Sequence, residues 1–193
     1  MASFLVAYGT GEGQTAKVAD RIVATLGDRG HDATAVNITA GAEDVDATEY
    51  DAVLVGASVR VGKHQGAVVD FVTDEREALS ARPTAFFQVS LASASDRGVE
   101  QAAEYVESFC SETGWNPDRI AQFGGALRFS EYGFLTRLAM KLIAKRRLPG
   151  VDTTRDSEFT DWHAAADFAD DVAAFVEGRH GIDAPNVDAS EGR

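Results

Sequence analysis

The sequence has few cysteines, few prolines and no long apolar run. Its 193 residues include four prolines and one cysteine, Cys110, which cannot form a disulfide within the chain. No stretch approaches the roughly 20 consecutive apolar residues that a membrane-spanning helix requires. The N-terminus lacks the charged leader with which a secretory signal begins. We therefore expect a soluble cytoplasmic protein.

Basic residues are also scarce. The chain has 31 aspartates and glutamates against 18 lysines and arginines, which gives a formal net charge of -13. The only lysines are Lys17, Lys63, Lys141 and Lys145. A lysine-poor, acidic composition is similar to that of proteins adapted to high salt. The negative charge argues against non-specific binding to nucleic acid, because the phosphates would be repelled.

What the sequence does contain is a regular alternation of β-rich runs and helical segments. Hydrophobic residues make up 45% of the chain, enough for the core of one domain, which we place at 1–179, followed by a flexible tail at 180–193. We predict strands at 3–8, 33–38, 52–56, 84–90 and 120–127, and helices at 14–29, 66–79, 99–113 and 161–177. This pattern indicates an α/β fold with a five-stranded parallel sheet.

The strand order 2-1-3-4-5 is typical of such a sheet. A ligand then binds beyond the carboxyl ends of the strands, at the point where the order reverses. We therefore expect the site in the loops 9–15, 57–65 and 91–97.

The first of these loops is rich in glycine. The segment Gly9-Thr10-Gly11-Glu12-Gly13-Gln14-Thr15 joins strand one to the first helix. Its backbone amides, together with the helix N-terminus, can enclose an anion without a basic side chain. The alternative is a turn that only reverses the chain.

The residue spacing in this loop does not fit several other known motifs. A P-loop requires Gly-Lys-Ser/Thr, whereas this chain has Gly13-Gln14-Thr15. Glycines at 9, 11 and 13 do not fit the dinucleotide pattern G-x-G-x-x-G. A response regulator would need a phospho-accepting aspartate after strand three, where Gly56 stands. Triphosphate transfer, dinucleotide binding and phosphorelay are therefore disfavoured.

The loop resembles the flavodoxin phosphate loop T-x-T-G-x-T. Thr10, Gly13 and Thr15 match this pattern, and Glu12 replaces the middle threonine. Because a carboxylate should not face a phosphate, we expect Glu12 to point outward.

Further motifs occur in order along the chain at 56–64, 124–129, 140–145 and 159–162. The last reads Phe159-Thr160-Asp161-Trp162. With them the sequence resembles the menaquinone-dependent protoporphyrinogen IX dehydrogenases, a flavodoxin-like family, over residues 3–178. The resemblance implies an FMN-dependent dehydrogenase that oxidises a porphyrinogen-like substrate and reduces a quinone. The alternatives are a flavodoxin-type electron carrier and a non-catalytic interaction module.

The resemblance also implies which residues contact FMN. The phosphate would be held by Thr10, Gly11, Glu12, Gly13, Gln14 and Thr15. The flavin ring would lie between Ala57, Ser58, Val59, Arg60, Val61 and Gly62 on one side and Ser90, Leu91, Ala92, Ser93 and Ala94 on the other. No metal ligand is assigned.

Two basic side chains are weak catalytic candidates. Arg60 could bind a propionate of the substrate, although a surface salt bridge explains it equally well. His64 could donate or shuttle a proton, although an exposed loop histidine is the simpler interpretation.

An insertion at 128–157 follows the fifth strand. Between 128 and 147 it has six basic residues and one acidic residue, and its apolar residues recur at helical spacing. We predict an amphipathic helix at 133–147 that contacts a membrane surface, where a lipid-soluble quinone resides. The alternative is a helix whose apolar face packs on the domain.

Overall fold

The computed structural model describes residues 1–40, 45–95, 98–127, 140 and 156–181. Nearly all of the predicted insertion and the tail beyond residue 181 lie outside these ranges. In chain order the elements are β1 (Ser3–Gly9), α1 (Gln14–Asp28), β2 (Asp32–Asn37), β3 (Ala52–Arg60), β4 (Lys63–His64), α2 (Gly66–Asp74), α3 (Arg76–Ser80), β5 (Thr84–Ser90), α4 (Val99–Thr113), β6 (Arg119–Gly124), β7 (Ala126–Leu127), β8 (Ser157–Glu158) and α5 (Trp162–His180).

The main sheet is parallel, with the order β2-β1-β3-β5-β6. When the two-residue β4 is set aside, this is the predicted order 2-1-3-4-5, and the flavodoxin-like fold class is confirmed. The register pairs Tyr8 with Gly56, and Gly56 with Phe87. The carboxyl ends of β1, β3 and β5 therefore meet at one edge of the sheet, beside the glycine-rich loop.

Two apolar cores cover the two faces of the sheet. Leu54 and Phe87 pack with α1 and α5 on one face, whereas Val55 and Phe86 pack with α2 and α4 on the other. Neighbouring residues of a strand point to opposite faces, and these four side chains are all fully buried. Burial on both faces explains why the central strands read as continuous apolar runs.

Three predicted element boundaries are wrong. Strand three continues past residue 56 to Arg60, because its last residues pair with β4 in a short hairpin. The helix at 66–79 breaks at Glu75, whose backbone (φ -87°, ψ 10°) leaves the helical region. The strand at 120–127 divides at Gly125, after which β7 pairs with β8 instead of the main sheet.

A buried ion cluster joins α5 to the connection between α1 and β2. Arg29 donates to Glu177 through Nε and Nη2, each at 2.8 Å. His31 Nδ1 accepts from the Ala2 amide at 3.2 Å, so its Nε2 carries the proton and donates to Glu177 at 2.9 Å. The hydrogen bonds from Arg29, followed by the one from His31, lower the pKa of Glu177 to about 2.

None of the helices in the described ranges combines the length and apolar character needed to cross a membrane.

Candidate functional site

A cavity of about 830 Å³ opens at the carboxyl edge of the sheet. This volume lies within the range of about 300–1,000 Å³ that is usual for small-molecule sites. Its lining includes the following predicted residues: Thr10, Gly11, Glu12, Gln14, Thr15, Ser58, Val59, Arg60, Val61, Gly62, Ser90, Leu91 and Ala92. The three predicted loops therefore do meet around one space.

The other predicted residues lie outside this lining: Gly13, Ala57, His64, Ser93 and Ala94. Ala57 is fully buried within β3. The Ser93 amide donates to Ser90 Oγ at 3.0 Å, so Ser93 closes the turn after β5. These residues support the walls of the cavity.

The turn at the start of α1 uses one amide internally. Gly13 adopts φ +81°, and its amide donates to Thr10 Oγ1 at 3.0 Å. Gly13 therefore shapes the loop, and its N–H is already engaged. The amides of the first turn of α1, which begins at Gln14, have no partner within the helix. They are the donors that remain for an anion.

Thr15 supplies a test of whether a phosphate fits. Its side chain is fully buried and lines the cavity, and Oγ1 has no hydrogen-bond partner among the described residues. An unsatisfied buried hydroxyl costs on the order of 1–3 kcal/mol. A ligand oxygen acceptor in the cavity would remove this cost, so the loop fits the phosphate of FMN.

The Gln14 side chain is buried, and its two polar atoms differ in their contacts. Nε2 donates to Thr160 Oγ1 at 2.8 Å, and Thr160 Oγ1 donates to the Gly124 carbonyl at 2.7 Å. Oε1 is buried and has no partner among the described residues. A contact from Gln14 to phosphate would thus come from its backbone amide.

The hairpin between β3 and β4 forms one rim of the cavity. Val61 and Gly62 at its tip have φ of +51° and +78°, the left-handed pair that fits a two-residue hairpin turn. Val61 is 97% exposed. A β-branched residue in this region is strained by roughly 1–2 kcal/mol. Tyr105 of α4 faces the tip, since a Cβ added to Gly62 would lie 3.7 Å from Tyr105 Cε1.

Arg60 and Glu12 lie together at the cavity mouth. Arg60 Nη2 is 3.9 Å from Glu12 Oε1, and the Arg60 side chain is 65% exposed. Glu12 is therefore turned towards Arg60 at the mouth. An exposed ion pair at this distance contributes little stability, so Arg60 stays accessible to an anionic ligand.

His64 is neither an exposed loop residue nor part of the cavity lining. Its Nε2 lies 3.2 Å from Gln88 Oε1, while Gln88 Nε2 donates to the Ala102 carbonyl at 2.7 Å. The His64 ring packs against Phe109 and Phe86, with centroids 4.8 and 5.7 Å apart. Burial lowers its pKa, against the effects of the Gln88 hydrogen bond and the Glu112 charge. His64 thus anchors the hairpin, and the structure does not support it as a proton donor.

The sequence prediction missed several residues of the lining: Val89, Gln101, Tyr105, Gly125, Ala126 and Met140. Gln101 and Tyr105 are four residues apart and so share one face of α4. That spacing was the available signal. Within the described residues, no group of histidines, cysteines and carboxylates could hold a metal ion.

The sheet order and the cavity at its carboxyl edge define a flavodoxin-like protein. The family model described as "Flavodoxin domain" matches residues 5–153. A short-chain flavodoxin associated with a PDU bacterial microcompartment has a TM-score of 0.58 at 15% identity, with 91% of this chain and 99% of that one covered. A flavodoxin from the domain Archaea has a TM-score of 0.51 at 15% identity, with 91% and 99% covered.

Two curated relatives identify the family more specifically. The protoporphyrinogen IX dehydrogenase (quinone) of Escherichia coli K12 is 33% identical over 174 residues, which cover 90% of this chain and 96% of that protein. The protein of the same name from Leishmania major is 34% identical over 172 residues, covering 88% and 74%. The chain therefore belongs to the protoporphyrinogen IX dehydrogenase family of flavodoxin-domain proteins.

Proposed function

We propose that this protein is an FMN-dependent dehydrogenase that oxidises protoporphyrinogen IX and reduces a quinone. The observation that carries the proposal is the fully buried Thr15 hydroxyl, which lacks a partner among the described residues and lines the cavity at the start of α1. The names of the relatives support the substrate and the acceptor.

The residues present fit FMN along the cavity. The first-turn amides of α1 and the Thr15 hydroxyl would hold its phosphate. The hairpin at 58–62 and the turn at Leu91 and Ala92 would flank the ring. When bound, FMN accepts electrons from one substrate and passes them to another. The chain contributes binding and orientation, and the lining beyond the phosphate loop is largely apolar.

Arg60 is the residue placed to attract an anionic substrate. The net charge of -13 repels a porphyrinogen carrying propionates, and Arg60 lines the mouth of the cavity. We expect Arg60→Gln to raise KM for the porphyrinogen several-fold while kcat stays the same. Lys63→Gln is the matched control, since it removes the same charge from the neighbouring strand, outside the lining. Equal KM changes in both variants would contradict a specific role for Arg60.

Reconstitution tests the proposed reaction directly. The protein is loaded with FMN and mixed anaerobically with protoporphyrinogen IX and a menaquinone analogue. Porphyrin fluorescence should appear only when flavin and quinone are both present. A protein that takes up FMN but forms no porphyrin would act as an electron carrier instead. A protein that stays colourless with added FMN would contradict both readings.

We also propose a peripheral position at the cytoplasmic membrane. The support is the sequence of 133–147, a basic amphipathic stretch that lies almost wholly outside the described residues. Co-sedimentation with anionic vesicles should fall when Arg137, Lys141 and Lys145 are replaced by glutamine, and it should fall with added salt as screening increases. Binding that neither change affects would remove this proposal.

A further inference from the structure

The segment Phe159–Trp162 connects the loop at the start of α1 with the strands β7 and β8. The Phe159 amide donates to the Gly125 carbonyl at 3.0 Å. Asp161 caps α5 by accepting from the amides of the helix's first turn, at 2.9 and 3.1 Å. Trp162 Nε1 donates to Glu158 at 3.1 Å. The Thr160 side chain contacts Gln14, which lines the cavity.

The direction of the hydrogen bonds at Thr160 follows from the donors available. The Gly124 carbonyl can only accept, so the single hydroxyl hydrogen of Thr160 goes to it. Thr160 Oγ1 must then accept from Gln14, which places the Gln14 amide nitrogen on the Thr160 side. Gln14 Oε1 is consequently held on the other side of the amide, as a buried acceptor on a residue that lines the cavity.

Glu158 reinforces this arrangement, because Lys17 and Gln14 both interact with its carboxylate and lower its pKa. Lys17 Nζ lies 2.8 Å from Glu158 Oε2, one turn along α1 from Gln14. Glu158 belongs to β8, which pairs with β7. The start of α1 is therefore joined directly to β8, and through the pairing of β8 to β7.

We propose that Thr160 is a positioning residue of the cofactor site, which orients Gln14 so that Oε1 accepts a hydrogen bond from a hydroxyl of the cofactor. This inference rests on the proposed function, because it takes FMN as the ligand. A phosphate at neutral pH offers few donors, whereas the ribityl chain of FMN carries hydroxyl groups. The same hydrogen bonds link Gln14 to Gly124 at the end of β6, next to the Gly125 carbonyl that accepts from the Phe159 amide.

The test compares Thr160→Val with Thr160→Ser in FMN titrations followed by flavin fluorescence. Valine keeps the shape of threonine but loses the hydroxyl, and we expect FMN affinity to fall about tenfold, as for one lost hydrogen bond. Serine retains the hydroxyl and should bind FMN within twofold of the wild type. Asp161→Ala is the structural control. It should lower the melting temperature by removing the cap of α5 and leave FMN affinity unchanged.

Hydrogen exchange at the Phe159 amide gives a second measurement. FMN should slow this exchange in the wild type and in Thr160→Ser, and it should do so much less in Thr160→Val. Gln14→Met serves if Thr160→Val does not fold, because it removes the proposed acceptor Oε1 itself and should also weaken FMN binding about tenfold.

The outcomes separate the two proposals. Wild-type protein that binds no FMN would overturn the proposed function. Wild-type protein that binds FMN, with Thr160→Val or Gln14→Met binding equally well, would overturn the positioning role alone. A loss of affinity in Asp161→Ala as large as in Thr160→Val would also overturn it, since the effect would then be one of stability.

Discussion

Replacing Thr15 by valine should change cofactor affinity and protein stability in opposite directions. Thr15 is fully buried, and its Oγ1 lacks a partner among the described residues. Valine has nearly the same shape, so the packing around α1 should be kept. What changes is one hydroxyl, which is a cost in the free protein and a donor to phosphate in the complex.

The two magnitudes follow from the state of this hydroxyl. A hydrogen bond to a charged phosphate contributes on the order of 1.5–3 kcal/mol, so FMN affinity should fall roughly 10- to 150-fold. An unsatisfied buried hydroxyl costs on the order of 1–3 kcal/mol. Its removal from Thr15 should therefore raise the free energy of unfolding of the FMN-free protein by about 1 kcal/mol.

Urea unfolding of the FMN-free protein and FMN titration measure both effects. Thr10→Val is the comparison, because Thr10 Oγ1 already accepts from the Gly13 amide at 3.0 Å. That variant should lose stability as well as affinity. Our account of the site is refuted if Thr15→Val destabilises the FMN-free protein and leaves FMN affinity unchanged.

Three further predictions concern stability. The pKa of Glu177 falls from an ordinary value of 4.5 to about 2, which corresponds to about 3 kcal/mol at neutral pH. A carboxyl whose pKa is lowered by folding stabilises the folded state at pH values above its unfolded pKa. The free energy of unfolding lost in Glu177→Gln should therefore be greatest at pH 7, shrink below about pH 4.5 and vanish near pH 2. Urea unfolding at several pH values measures this loss. Gly56→Ala should destabilise by about 1–3 kcal/mol, because the added methyl group would overlap the buried Phe87 ring; an unchanged urea midpoint would contradict this. Val61→Gly should raise the melting temperature, since glycine relieves the strain at φ +51°; a lower melting temperature would show that valine is favoured there.

The sheet could be predicted because its signals are local. Each central strand is a short apolar run, and the alternation of strands with helices predicts a parallel sheet, for which 2-1-3-4-5 is one of the common orders. The β3–β4 hairpin could not be predicted in the same way. Its turn is Val61-Gly62, whereas the sequence signal for such a turn is Asn-Gly or Asp-Gly. Valine is disfavoured at positive φ, so the sequence concealed the turn.

The candidate site could likewise be predicted only in part. Residues 10–15 are contiguous, and their anion-binding chemistry can be read from spacing alone. Gln101 and Tyr105 enter the cavity from α4, and Thr160 reaches Gln14 across 146 positions. Such contacts depend on how the elements pack, which the pattern of a single element does not contain. The hydrogen bonds that link His64 to Gln88, and Gln88 to the Ala102 carbonyl, could not be predicted for the same reason.

Only some of the hydrogen-bonding groups at the phosphate loop and the start of α1 have partners within the protein. The Gly13 backbone amide and Gln14 Nε2 donate to partners within the protein, while the Thr15 hydroxyl and Gln14 Oε1 are buried without partners among the described residues. The first pair sets the shape of the loop before any ligand arrives. The second pair raises the free energy of the empty site, and a ligand that satisfies it binds more tightly for that reason. Because FMN would satisfy these two buried groups, its binding should raise the free energy of unfolding by more than contacts with exposed groups alone would.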